Sequence, residues 1–167
     1  MATTRLSTYA PQQVTVVITQ DTTGLSHILG GYSEDGIVSV DRNVEAYTLY
    51  TGADDSNTRV KNSNSSGTIT INLQQSSASN DILHGLFLEG GIFTITVKDA
   101  SGRSNYFSDE AYVGDVPGGA FSNSLNTRDW VIHAPKMSEI IGGNSRLSPE
   151  DAAALEQLGV NIEDRWL

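Results

Sequence analysis

The chain contains no cysteine. Disulfides, thiol nucleophiles and thiolate metal sites are thereby excluded. Positive charge is scarce as well: Lys and Arg total 10 against 20 Asp and Glu, a formal charge of -10. A protein that binds nucleic acid by neutralising phosphates needs a basic footprint, and this composition argues against one. No apolar run approaches the ~20 residues of a membrane span, and no charged-then-apolar leader opens the sequence. A soluble, acidic protein kept in the cytosol is the expectation. Aromatic residues are only 7% of the chain.

The sequence also lacks the constellations of catalysis. There is no glycine-rich dinucleotide fingerprint, no P-loop and no nucleophile elbow. The Gly-Gly pairs at 30–31, 90–91, 118–119 and 142–143 lack the strand-to-helix flanks of a phosphate loop and read as turns and caps. His27, His84 and His133 stand in unrelated settings, without ligands at a metal-binding spacing. A calcium loop started at Asp55 would place Arg59 at the fifth position and Val60 where glycine is required, so Asp54–Asn57 reads as a solvated loop. Adjacent acids such as Glu34 and Asp35, or Asp109 and Glu110, point to opposite faces in a strand and do not converge as acid and base. No catalytic residue, metal or cofactor is expected.

What is present is a β pattern. The hydrophobic fraction of 38% in 167 residues suffices for one core. Residues 1–11 carry no period and read as an arm. Val14–Thr19 is a β-branched run with Val14, Val16 and Ile18 on one face. A turn-rich stretch around Gly30, Gly31 and Gly36 follows. Ile37–Asp41 and Glu45–Thr51 are the next strand candidates, with Asp41–Asn43 suited to a short turn between them.

Gly52–Gly67 is polar and long for a structureless connection. It is either a mobile surface loop or, with a short strand at Thr58–Lys61, a projecting hairpin that docks on a neighbouring copy. Thr68–Leu73 alternates cleanly, Ile69, Ile71 and Leu73 against Thr68, Thr70 and Asn72. Ser79 then suits the N-cap of a short helix with the stripe Ile82, Leu83, Leu86 and Phe87, and Gly90 as its stop. Ile92–Lys98 alternates again. Asp99–Gly102 is a hairpin turn, Arg103–Val113 an interrupted or bulged strand, Asp115–Ser124 a loop, and Arg128–His133 a last strand before Pro135.

Beyond Pro135 the composition changes. Met137–Gly143 is weakly patterned, while Ser148, Pro149, Glu150 and Asp151 form a strong helix start and Gly159 a stop. Leu155, Leu158 and Trp166 make this terminus apolar enough to dock, on its own domain or on a partner. The division expected is an arm at 1–11, a β domain at 12–135 and a C-terminal extension with a short helix at 136–167. The fold class is mainly β, an antiparallel sandwich or barrel with one inserted short helix.

Several ordered fragments carry a family resemblance. They are Tyr9–Thr15; Val38–Asn43 running into Glu45–Tyr50; Gly52–Asp54; Thr58–Lys61; Ser66–Thr70; Leu73–Ser76; Ser79 and Asn80; Val97–Asp99; and Thr127–Ile132. In order and spacing the chain resembles the tail tube proteins of contractile-tailed bacteriophages, from about Tyr9 to Pro135. The extension 136–167 lies outside that pattern.

The resemblance implies a structural virion protein, assembled in the host bacterial cytoplasm. Its rings, usually hexameric, would stack into a hollow conduit inside a contractile sheath. The partners implied are further copies of the chain, the tail sheath protein, and baseplate and tail terminator proteins. Double-stranded DNA would pass transiently without specific binding, and no membrane is involved. The hairpin around Asp54, Asp55, Asn57, Arg59 and Lys61 corresponds to the contact with the adjacent ring. Glu34, Asp35, Asp41 and Glu45, in or beside the second and third strand candidates, are the acids assigned to the lumen. Like-charge repulsion there keeps DNA sliding, and six copies would bring on the order of -60 formal charges. Competing classes are an inner tube subunit of type VI secretion kind, another sheath, baseplate or accessory tail protein, or a carbohydrate-binding sandwich. The last wants exposed aromatics on one face, which a 7% aromatic content hardly supplies.

Overall fold

The structure, a computed structural model, describes residues 6–161. Its β-strands are all paired antiparallel. In chain order they are β1 (Val14–Gln20), β2 (Leu25–Ile28), β3 (Val38–Arg42), β4 (Tyr47–Thr51), β5 (Asn57–Lys61), β6 (Gly67–Gln74), β7 (Phe93–Asp99), β8 (Asn105–Asp115), β9 (Thr127–Ala134) and β10 (Ser138–Ile140). Helix α1 (Ser79–Glu89) is inserted between β6 and β7, and α2 (Pro149–Gln157) follows the last strand.

Eight strands form one sheet in the order β2-β1-β7-β8-β9-β6-β3, with β10 added beside β8; β4 and β5 pair only with each other. The sheet turns at β8. The first part of this strand, Asn105–Ser108 and then Ala111, pairs with β7, and its second part, from Tyr112, pairs with β9. The register shifts on both sides. Such irregularities raise the local twist and let a sheet fold over itself. One core then lies between the two leaves and α1.

Strand periodicity fixes what enters that core. Val16 and Ile18 of β1, Ile69, Ile71 and Leu73 of β6, Phe93, Ile95 and Val97 of β7, and Trp130 and Ile132 of β9 are buried, while their sequence neighbours face out. Leu83 and Leu86 of α1 close it. Each such side chain contributes about 1.5–3 kcal/mol by leaving water. Ile82 is half-buried and Phe87 exposed, so the helix buries a narrower stripe than expected. Gly90 stops α1 in the left-handed conformation, φ 74°, where a side chain would be strained.

Four expectations need correction. Leu25–Ile28 is a strand, where the sequence showed only turns; pairing with β1 makes it one. Asp41–Asn43 is not a hairpin turn, because β3 pairs with β6 while β4 pairs with β5. Ser79 is not the N-cap. Ala78 holds that position, and Ser79 is buried with its hydroxyl 3.0 Å from His27 Nε2 and accepting from the Gly30 N–H at 3.1 Å. The weakly patterned Met137–Gly143 holds β10, which pairs with β8, and Met137 is buried. The run from residue 136 thus begins inside the sheet, fastened further by a 2.8 Å ion pair from Arg42 to Glu139.

One polar side chain ties the helix start to the core. Asn80 accepts the Trp130 indole N–H at 2.9 Å through Oδ1, and its amide donates to the carbonyls of Gln74 and Ser77. Asn80→Ala would strand a buried N–H and release that turn. The expected loss is about 1–3 kcal/mol, read as a lower denaturation midpoint at unchanged slope.

Candidate assembly site

Strands β4 and β5 stand apart from the sheet as a two-stranded hairpin, and all ten residues are exposed. Gly52–Ser56 closes it. The Gly52 N–H donates to Ser56 O at 2.7 Å, and Asp55 takes a positive φ of 66°. The Asp54 carboxylate accepts the Ser56 hydroxyl at 2.6 Å. That bond, and a second from the Ser56 N–H, holds the Asp54 pKa below its ordinary value.

The register sorts the hairpin into two faces. Tyr47, Leu49 and Thr51 share one with Lys61, Arg59 and Asn57; Thr48 and Tyr50 share the other with Val60 and Thr58. The Arg59 guanidinium lies 4.6 Å from the centre of the Tyr47 ring. Of the expected contact residues, Asn57, Arg59 and Lys61 therefore converge on one face, whereas Asp54 and Asp55 sit at the tip. The strand candidates Glu45–Thr51 and Thr58–Lys61 are thus both strands, trimmed to Tyr47–Thr51 and extended to Asn57–Lys61, and the polar stretch between them is the turn of a projecting hairpin.

The expected lumen acids do not share one face. Glu34 and Asp35 lie exposed in the bend before β3, and Glu45 is exposed in the link before β4. Asp41 alone is on the outer face of a leaf, opposite Thr68. Pairing extends that face across four strands: Ser39 and Asp41, then Thr68, Thr70 and Asn72, then Asp129, Val131 and His133, then Tyr112 and Asp115. It carries three aspartates and, among the described residues, no Lys or Arg on those strand positions. Asn72 donates to Asp129 at 2.6 Å. Asp129 was legible from its alternation with Trp130, but the bulge in β8 concealed Asp115. The other leaf exposes Ile28, Phe107 and Ile140.

The third candidate surface is the C-terminal helix. Residues 142–145 are pinned to the β7–β8 turn, with Arg103 N–H donating to Gly143 O at 3.2 Å and Asn144 donating to the Asp99 carboxylate at 2.8 Å. Ser148 then caps α2 by accepting from the Asp151 N–H. Leu155 is half-buried and lines a cleft of about 430 Å³ with Ile140, Ile141 and Leu147, whereas Leu158 is exposed. Trp166 lies outside the described residues.

No group of His, Asp or Glu that could hold a metal is present among the described residues. His27 is engaged with Ser79, His84 lies near Phe87, and His133 near Tyr112.

A sheet folded over at one strand, a detached hairpin and an outer strand face without Lys or Arg among the described residues distinguish this chain. Its fold matches the tail of an empty gene transfer agent particle solved with C6 symmetry, at a TM-score of 0.60 and 9% identity over 80% of this chain and 100% of that one. The virion of the native gene transfer agent particle contains a chain matched at a TM-score of 0.57, again at 9% identity over 80% and 100%. The chain belongs to the family described as the bacteriophage PhiTE tail tube protein, whose profile matches residues 6–142. It is 52% identical over 170 residues to structural protein ORF10 of Pseudomonas phage KPP10, covering 98% of both chains. It is a structural tail tube protein of a phage virion. The family match includes β10 and ends before α2.

The anchor of α2 is pH-dependent. Burial works to raise the Asp99 pKa, but hydrogen bonds from the Ser101 hydroxyl, the Asn144 amide and the Ser101 N–H together outweigh it, so the net shift is downward. A folded pKa below the unfolded value of about 3.9 stabilises above that value, and the contribution disappears as pH falls through the folded pKa. Asp99→Ala is expected to lower the amide-exchange protection of residues 142–158 at neutral pH and to remove the further loss of protection expected of wild type as pH falls below about 4.

Proposed function

We propose that this chain closes into hexameric rings that stack as the inner conduit of a contractile phage tail, through which DNA is ejected. The observation that carries this reading is the pair of open sheet edges. Strand β2 pairs only with β1, and β3 only with β6. Unpaired edges recruit further strands, and a ring is the arrangement that uses each edge once. The likeness to a C6 tail supports the ring number.

In that ring the cation-free face of β3, β6, β9 and β8 turns to the bore, placing Asp41, Asp115 and Asp129 along the DNA path. Glu34, Asp35 and Glu45 line its two rims. Repulsion between aspartates and phosphates prevents adhesion without a moving part, so the tube acts without catalysis. The other leaf, with Ile28 and Phe107, faces neighbouring subunits and the sheath protein. The hairpin carrying Asp54, Asp55, Asn57, Arg59 and Lys61 contacts the adjacent ring. The first and last rings meet baseplate and terminator proteins. Subunits are made and assembled in the host cytoplasm.

Concentrated pure protein is expected to show rings or tubes by negative-stain microscopy. A monomer at every concentration and salt would overturn the reading. The same assemblies should fail to retain double-stranded DNA at ~150 mM salt. Replacing Asp41, Asp115 and Asp129 together by Lys should create retention that weakens as salt rises.

A further inference from the structure

Two elements of this chain have no fully buried residue. Every strand residue of the β4–β5 hairpin is exposed, and α2 has no buried residue. An isolated two-stranded hairpin is marginal in water, and so is a helix of nine residues. Each needs a surface to lie on.

The two are chemically complementary. The hairpin face with Tyr47, Leu49, Arg59 and Lys61 concentrates two cations in a chain of net charge -10. Helix α2 carries Glu150, Asp151 and Glu156 and no Lys or Arg. Its half-buried Ala152 and Leu155 mark the inner side. At 100° per residue, Glu150, Ala153 and Ala154 lie on the opposite side, and Leu158, the C-cap residue, lies at its edge. Leu158 is 76% exposed there and Leu49 is 74% exposed on the hairpin. Two alanines between the acid and the leucine leave room for a strand pair to approach closely.

We propose that the hairpin of one copy docks, through Tyr47, Leu49, Arg59 and Lys61, on the outward side of α2 in a second copy, with Arg59 against Glu150 and Leu49 against Leu158. The proposal rests on the tube reading and names the surface that receives its inter-ring hairpin. Tongue and seat are different surfaces of one chain, so the contact is heterologous and propagates from copy to copy. Docking also covers the apolar side chains that the two elements expose.

The absence of native cysteine gives a direct test. Copies carrying Leu49→Cys are mixed with copies carrying Leu158→Cys under mild oxidation at concentrations that give tubes. The expected product is a disulfide-linked dimer of unlike variants on a non-reducing gel, in about tenfold excess over what either variant yields alone. In a second arm, Arg59→Glu raises the concentration needed for tubes by about tenfold, and adding Glu150→Lys to the same chain restores it. Melting curves show that these exposed substitutions leave the fold intact. Absence of the unlike dimer, unchanged tubes in Arg59→Glu, or failure of Glu150→Lys to restore them overturns the docking while tubes of wild type still stand. A wild-type protein that never assembles overturns the tube reading itself.

Discussion

The structure depends on one strand serving two leaves. In a flat sheet β7 and β9 would flank β8 along its full length. Shifted registers divide the eleven residues instead, the first part to β7 and β10, the second to β9. That division turns the sheet. It sets Ile95 and Val97 facing the same core as Ile69 and Ile71, although the two groups lie in different leaves. It also leaves the sheet with two ends, β2 and β3, where backbone N–H and C=O groups have no ladder partner. The core and the open edges are consequences of the same turn.

What could be read from residues alone followed from local pattern. β1, β6, β7 and β9 alternate because one face is buried, and that alternation is written in Val16 and Ile18, in Ile69, Ile71 and Leu73, and in Trp130 and Ile132. Helix stops also read correctly, since Gly90 and Gly159 adopt the positive φ that other residues avoid. Elements made by distant pairing did not show. Leu25–Ile28 and Ser138–Ile140 are too short to display a period, and each is a strand because β1 or β8 offers it an edge. Ser79 fits an N-cap by composition, yet its hydroxyl is used across the fold by His27 and Gly30. The lumen acids show the same boundary. Asp41 sits on the polar leaf, but Asp115 joins it only through a register shift that no pattern in the chain announces.

The distribution of charge suits the conduit proposed above. A protein with 20 acids and 10 bases has little attraction for DNA anywhere, but average charge does not keep a passage clear. Placement does, because a single lysine on the lining would be a phosphate site within a short Debye length. The strand face with Asp41, Asp115 and Asp129, proposed as that lining, carries no Lys or Arg at its strand positions among the described residues. The cations are spent elsewhere: Arg42 on Glu139 at the start of β10, Arg128 beside Phe121, and Arg59 over Tyr47.

Marginal elements are economical in such a subunit. A hairpin and a short helix stable alone would meet without an ordering cost, among free subunits as readily as at an existing end. Here the hairpin's strands have one partner each and α2 touches the sheet across a cleft, so the free energy of ordering them is recovered only when another surface arrives. In the contact proposed above, assembly would couple to ordering of the appendages and leave the core untouched. The core, with its closed set of aliphatic contacts, supplies stability whether or not neighbours are present. The appendages supply contacts only in company, which favours growth at an existing end over association of free subunits. That division between a self-sufficient sandwich and two unfinished projections is what the long polar stretch Gly52–Gly67, the exposed Leu49 and the acidic, alanine-rich α2 encode.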